Sequence, residues 1–315
     1  MFRFLLYKIG QFIVNVLPLK AAYAFGQFLS DIQYSVSIVD RRNVRANIKK
    51  ILNREEVDER LVRDVFRNFG RYLVDFFRMV RYVDDNFVRT YVKSQGEEHL
   101  KEAIAKGKGV ILVTAHMGSW ELGAIIVRKM GYPILAVALP HKHKPVNDLF
   151  NSQREQCGMT VVTPNVAVRR CLEKLKANES IALVADRDFG PHGLLMDFLG
   201  SKALLPKGPA ILSIKTGAPI VTTFFLRNDD GTFSLNFDKP VYPNFVDDQA
   251  ISDDVLREHI NKYIRIVEAK IRQFPGQWLM FRKFWVSDPA AVERNDPSTE
   301  GADAGFEVGK GKTRP

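Results

Sequence analysis

The chain has 315 residues, 46% of them apolar, and 46 lysines and arginines against 36 acidic residues, a formal net charge of +10. That apolar share supports a sizeable buried interior and excludes a disordered chain, while two cysteines, Cys157 and Cys171, fit a reducing compartment and exclude a disulfide framework. The positive balance calls for an anionic partner: nucleic acid, acidic lipid headgroups or a phosphorylated carrier.

Met1 to Ser30 is apolar and aromatic-rich, interrupted only by Arg3, Lys8 and Lys20. Its longest uncharged run, Ile9 to Leu19, is too short to span a bilayer and is broken by Pro18. No small-residue cleavage site follows, which argues against a secretory signal. The pattern fits a helical segment lying in the membrane interface with its lysines reaching headgroups; the competing reading is a first helix packed on the domain's own core. Arg41, Arg42, Arg45, Lys49, Lys50 and Arg54 then crowd a predicted helix, a basic face suited to an anionic leaflet. Nucleic acid is the poorer partner, because basic and aromatic residues alternate here at helical rather than stacking-platform spacing.

Val57, Leu61, Val65, Phe69, Tyr72 and Phe76 recur at three- and four-residue intervals and predict a long helix over 56–82. A short helix over 96–106 precedes an alternation: strand 110–115, helix 122–130, strand 133–139, helix 145–156, strand 160–163, helix 166–177 and strand 181–185. Residues 204–215 read as helix, 220–226 as a buried strand, 232–237 as an edge strand and 254–274 as an amphipathic helix. Strands alternating with helices of this length imply an α/β fold with a mixed, mostly parallel central sheet flanked by helices. The turn Asn228-Asp229-Asp230-Gly231 adds an antiparallel strand. With no linker between residues 20 and 285, the expected organisation is a membrane-associated segment over 1–30, one α/β domain over 31–286 and a disordered tail over 287–315.

The most informative stretch is Val113-Thr114-Ala115-His116-Met117-Gly118-Ser119-Trp120-Glu121. It puts an imidazole on the turn leaving a buried strand and a carboxylate on the first turn of the next helix, at the strand end where open α/β sheets bind ligands. A neutral histidine there can take a proton from a hydroxyl, and a carboxylate can fix its tautomer. Taken alone, the pair also suits an ordinary capped helix start. Ser119 between them does not form a Gly-x-Ser-x-Gly elbow, so a serine nucleophile is the weaker choice.

This His-x4-Glu spacing resembles the His-x4-Asp/Glu box of the glycerolipid acyltransferase superfamily. Segments further along, in order, are similar to its lipid A biosynthesis (lauroyl/myristoyl) branch and to the related mannoside acyltransferases: Asn151-Ser152-Gln153-Arg154-Glu155, Ala185-Asp186-Arg187-Asp188-Phe189-Gly190-Pro191, Asp197-Phe198-Leu199-Gly200, Pro206-Lys207-Gly208-Pro209-Ala210 and Thr216-Gly217-Ala218-Pro219-Ile220. The resemblance covers residues 1 to 285 or so. It implies transfer of a fatty acyl group from acyl carrier protein or CoA to a hydroxyl of an anionic glycolipid such as a lipid A precursor, at the cytoplasmic face of the inner membrane, with no cofactor and no catalytic metal.

On this reading His116 is the base and Glu121 orients its other ring nitrogen. Arg154, by resemblance, binds the acyl carbonyl or a donor phosphate; from sequence alone it equally suits a surface pair with Glu155. Asp186, Arg187 and Asp188 end a strand as His116 does, so both should face one crevice. They suit a network orienting an arginine or the acceptor, or a purely structural ion cluster. Phe198, Gly200 and Lys202 fit the family's third box, which binds the acceptor; Gly200 would allow close backbone approach, and Lys202 and Lys207 supply charge. His141 and His143 read as a basic rim more readily than as metal ligands. His99 and His259 fall on exposed helical positions. An acyltransferase for a mannosylated phosphoinositide or a lysophospholipid, a lipid hydrolase using the same His/Glu pair, or a basic membrane-binding protein without activity would share much of this pattern.

Overall fold

In the computed structural model the described residues are 2–188, 193–244 and 251–286. The expected tail over 287–315 and the motif residues Phe189, Gly190 and Pro191 lie outside them. Three helices open the chain, α1 (Phe2–Val16), α2 (Leu19–Val36) and α3 (Ile38–Leu52), followed by the long α4 (Glu59–Tyr82) and the short α5 (Asp85–Tyr91). Then come β1 (Val92–Gln95), α6 (Glu97–Ile104), β2 (Val110–Thr114), α7 (Trp120–Lys129), β3 (Ile134–Val137), α8 (Lys144–Gln156), β4 (Thr160–Val162), α9 (Pro164–Lys176) and β5 (Ser180–Val184). A hairpin, β6 (Leu194–Phe198) and β7 (Ser201–Leu205), leads to α10 (Gly208–Thr216), β8 (Ile220–Arg227), β9 (Phe233–Phe237) and α11 (Asp253–Gln273).

Seven strands form one sheet in the order β1-β9-β8-β2-β5-β3-β4. β8, β2, β5, β3 and β4 run parallel, β9 returns antiparallel to β8, and β1 lies parallel to β9. The mixed, mostly parallel sheet is therefore as expected, but β9 is not the edge. The four-residue β1 covers it, and its polar sequence Val-Lys-Ser-Gln carries no strand signal. Residues 201–205 pair with 194–198, so Leu204 and Leu205, expected to open a helix, end a strand instead, and the helix begins only at Gly208. Leu199 (φ 51°) and Gly200 (φ 83°) are both left-handed, as a two-residue hairpin turn requires. The buried Glu268 carboxylate, which accepts from Leu199 N–H, holds the non-glycine residue there.

β2 is buried on both faces because its alternate residues enter different cores. Ile111 and Val113 pack with α10, α11 and the β6–β7 hairpin, whereas Val110 and Leu112 pack with α4, α6, α7 and α8. The second core also takes in the amino terminus. Val14 and Ala22 are buried against α4, and Arg78 of α4, itself 4% exposed, donates to the carbonyls of Val14 and Leu17, satisfying the open end of α1. α2 and α4 cross at Gly26 and Gly70, where a Cβ on Gly70 would stand 2.5 Å from the Gly26 carbonyl oxygen. The expected boundary at residue 30 thus falls inside α2, whose inner face is part of the main core. Its outer face is different. Leu5, Ile9, Phe12 and Val16 of α1, Phe28, Ile32 and Val36 of α2, and Ile38 and Val39 of α3 are large apolar side chains exposed to solvent. Among the described residues no helix is long and apolar enough to cross a membrane.

Candidate active site

β2 and β5 are neighbours in register, with Thr114 opposite Val184. His116 and Asp186 each stand two residues beyond that pair, so both leave the carboxyl edge of the sheet at one level. Asp186 Oδ1 accepts from His116 Nδ1–H at 2.8 Å, and its Oδ2 accepts from the His116 backbone N–H at 3.0 Å. The indole Nε1–H of Trp278 adds a third bond to Oδ2, at 2.7 Å. Asp186 is fully buried. Burial alone would raise its pKa, but the charge and bonds of His116 and the Trp278 bond outweigh it and hold the carboxyl below its ordinary range. An ionised Asp186 only accepts, so His116 Nδ1 carries a proton, and in the neutral ring the basic nitrogen is Nε2.

The carboxylate on Nδ1 is thus Asp186, not Glu121 as expected, and Asp186 is no substrate ligand: both its oxygens are occupied below the surface. Neighbouring strand ends bring together what 70 residues of sequence separate, whereas the first turn of α7 turns Glu121 the other way. There Glu121 forms a bidentate pair with Arg154 (2.6 and 2.8 Å) and accepts from Tyr72 Oη at 3.0 Å. Arg154 is 12% exposed, also donates to Asn151, and lies 5.7 Å from the Phe76 ring centroid. Burial works against its charge, but the Glu121 bond holds its pKa above the ordinary value. Arg154 is therefore neither a surface residue paired with Glu155 nor a guanidinium held open for a carbonyl. It locks α8 to the start of α7. Burial, and the field of Glu121, keep Tyr72 a neutral donor.

The turn that carries His116 is laced to the chain end. Leu279 N–H donates to His116 O, Gly118 N–H to Gln277 O, and Met117 bridges Trp278. Gly118 (φ 59°) passes so close to β8 that a Cβ would meet Phe225 O at 2.2 Å. Ser119 is buried with its hydroxyl donating to Asp75, which also takes Tyr23 Oη (2.6 Å) and Arg227 (2.5 Å), so Ser119 is a support of the turn rather than a nucleophile. Trp120 stacks on Tyr72 with centroids 4.2 Å apart and meets the His116 ring edge-on at 5.3 Å. Behind it, a narrow cavity of about 40 Å³ runs under α7, lined by Thr114, Trp120, Gly123, Ala124, Ala182 and Phe225 among others. Ala136, Ala182 and Val184, on interior strands, remain partly accessible.

A histidine held by a buried carboxylate at a sheet edge can act as a base towards a hydroxyl, and in comparison with known proteins the profile of the bacterial lipid A biosynthesis acyltransferases matches residues 1–287. The chain belongs to that family, and it is an acyltransferase. It is 25% identical to the phosphatidylinositol mannoside acyltransferase of Mycolicibacterium smegmatis over 289 residues, covering 90% of this chain and 91% of that protein. It is 26% identical to the corresponding Mycobacterium tuberculosis enzyme over 91% and 90% of the two chains, and 26% identical to the Escherichia coli lipid A biosynthesis palmitoleoyltransferase over 74% of each.

The remaining sequence-derived residues scatter in kind. Arg187 is half-buried beside the dyad, where burial and the neighbouring Arg282 charge lower its pKa. Asp188 N–H reaches Leu204 O, and its carboxyl packs against Gly193. Phe198 is fully buried among Trp278, Phe284 and Trp285, so it supports the site from below instead of touching a ligand. Gly200 serves the hairpin turn, since nothing lies within 4 Å of a Cβ built there. Lys202 is exposed in a 3.2 Å pair with Asp197, and Lys207 pairs with Asp253. The His141 ring lies 4.5 Å from Phe150; burial and then the Arg154 charge lower its pKa. His259, expected at an exposed position, is 3% exposed. Among the described residues no cluster of three or more His, Cys, Asp or Glu could hold a metal. Trp278 carries no motif signal in the sequence beyond the need of a buried tryptophan for an acceptor of its indole N–H.

Proposed function

We propose that this acyltransferase moves a fatty acyl group from an acyl thioester, of acyl carrier protein or CoA, to a hydroxyl of an anionic glycolipid at the cytoplasmic face of the inner membrane. The observation that carries the reading is the Asp186–His116 pair, in which the buried carboxylate engages Nδ1 of a ring that is itself partly exposed, so that Nε2 is the nitrogen able to act as base. Nε2 takes the proton of the acceptor hydroxyl as its oxygen attacks the thioester carbonyl. The tetrahedral intermediate then collapses, the carbon–sulfur bond breaks, and the imidazolium returns the proton to the leaving thiolate. Asp186 acts as a positioning residue, offsetting the imidazolium charge through Nδ1. The amino terminus of α7, where Ser119 makes no side-chain cap, adds positive field near the developing oxyanion. No acyl-enzyme is needed. Glu121 and Arg154 act indirectly, by fixing the turn between β2 and α7.

The cavity under α7 suits the end of an acyl chain, being apolar and opening beside Trp120 and Thr114. The exposed apolar faces of α1, α2 and the start of α3, with Arg42 on the same segment, suit insertion into one leaflet of an anionic membrane; each large apolar side chain transferred contributes about 1.5–3 kcal/mol. The acceptor is an anionic glycolipid of the kind named in the relatives, a lipid A precursor or a phosphatidylinositol mannoside; near-complete coverage by the mannoside enzymes gives the second equal standing with the first. The test is product identification by mass. Purified protein with isotope-labelled acyl thioester and a panel of lipid acceptors should yield an acylated glycolipid. Free fatty acid, at a rate indifferent to acceptor, would make the protein a hydrolase instead.

A further inference from the structure

A groove of about 420 Å³ opens between the second half of α3, the start of β7 and the segment after residue 280. Lys50, Lys202 and Lys283 line it together with Asn43, Ser201 and Trp285, and no acidic residue does. The exposed Lys202–Asp197 pair is worth little, so an arriving anion competes for that ammonium easily. Trp285 lines the groove, and its Nε1 is shielded from solvent with no acceptor among the described residues. The volume fits a small sugar phosphate rather than a protein helix, whose diameter of about 10 Å needs an open face.

Its placement is equally specific. Asn43 lies one helical turn, roughly 6 Å, beyond Val39, the last exposed apolar residue on α3. A lipid whose chains lie along that apolar face carries its headgroup at the level of the groove. At the other end, Trp285 packs on Phe284 (4.8 Å), Phe284 on Trp278 (5.3 Å), and Trp278 bonds Asp186. A relay of three packed rings therefore connects the groove to the carboxylate of the dyad.

We propose that this groove is a phosphate subsite for the acceptor headgroup, with Lys50, Lys202 and Lys283 around the phosphate and Trp285 against the sugar. The inference rests on the anionic-glycolipid reading and names the site that reads the anion. The test uses the full-length protein with Lys50 and Lys283 both changed to Gln, and separately Lys283→Glu. Losing a solvent-screened charge-assisted contact should raise the KM for a phosphatidylinositol mannoside acceptor about tenfold, with kcat and donor KM unchanged. Glycerophosphoinositol, the water-soluble head, should bind wild type in calorimetry and the variants much more weakly, whether or not transfer is measured. An unchanged acceptor KM overturns the proposal. So does a raised donor KM, which would mean that an acidic carrier docks there, and so does inorganic phosphate binding as tightly as glycerophosphoinositol. Wild type that binds glycerophosphoinositol yet acylates no lipid would refute the functional reading while leaving the subsite standing.

Discussion

Asp186→Asn separates the two carboxylates that the site could use. The aspartate receives three donors: His116 Nδ1–H on Oδ1, and the His116 backbone N–H and Trp278 Nε1–H on Oδ2. Asparagine has one oxygen to offer. If that oxygen takes the Oδ2 place, the amide N–H faces Nδ1 and forces the proton onto Nε2, which abolishes the base. In the opposite orientation the amide faces two donors, and each broken buried bond costs about 1–3 kcal/mol. The wrong-tautomer outcome in a related arrangement lowers kcat about 10⁴-fold, or about 5 kcal/mol in barrier height. We therefore expect kcat/KM to fall about 10³- to 10⁴-fold. Folding is checked by circular dichroism and a thermal scan. Glu121→Gln keeps two of its three partners satisfied and should cost far less, while adding His116→Ala to Asp186→Asn should cost little beyond His116→Ala alone. Near-normal turnover in Asp186→Asn with severe loss in Glu121→Gln would refute this assignment of the dyad.

Three other outcomes follow from the same structure. His259 donates Nε2–H to Ser213, leaves Nδ1 unpartnered among the described residues, and has its pKa lowered to about 4 by burial, with Lys262 adding to the shift. Its contribution to stability is complete above its unfolded pKa of about 6.5 and is lost as pH falls towards 4, about 3 kcal/mol in all, so denaturant titrations of His259→Gln should show a shallower acid loss than wild type. Ala124→Leu fills the cavity under α7 and should shift donor preference to shorter acyl chains by product mass analysis; unchanged chain preference would exclude that cavity as the chain site. Phe12→Asp combined with Ile32→Asp, both on the outer faces of α1 and α2, should weaken binding to anionic vesicles by about two orders of magnitude in flotation assays while leaving the melting temperature nearly unchanged.

Much of the fold was legible because its signals are local. The apolar run ending at His116 and the three- and four-residue spacing from Leu61 to Phe76 each report the period of one element. The same locality explains the misses. β1 is polar and takes its strand form from pairing with β9, and 201–205 is a strand because 194–198 pairs with it, so neither exists as a property of its own segment. At the site, His116 was found from its position at a strand end. The chain supplies a carboxylate five residues on, at Glu121, but strand register places Asp186 beside the ring instead, and Trp278, which follows α11 in the chain, bonds it. Of the two meanings expected for the amino terminus, packing on the domain's own core is what the structure shows, with Ala22 and Gly26 against α4, while Phe28 and Ile32 of the same helix face outward.

The account stands most directly on acceptor-dependent acyl transfer by His116→Ala at saturating donor. Removal of a general base should lower the rate about 10²- to 10⁴-fold while the fold and the binding to anionic vesicles persist. A folded His116→Ala protein that transfers within a few-fold of the wild-type rate would contradict it.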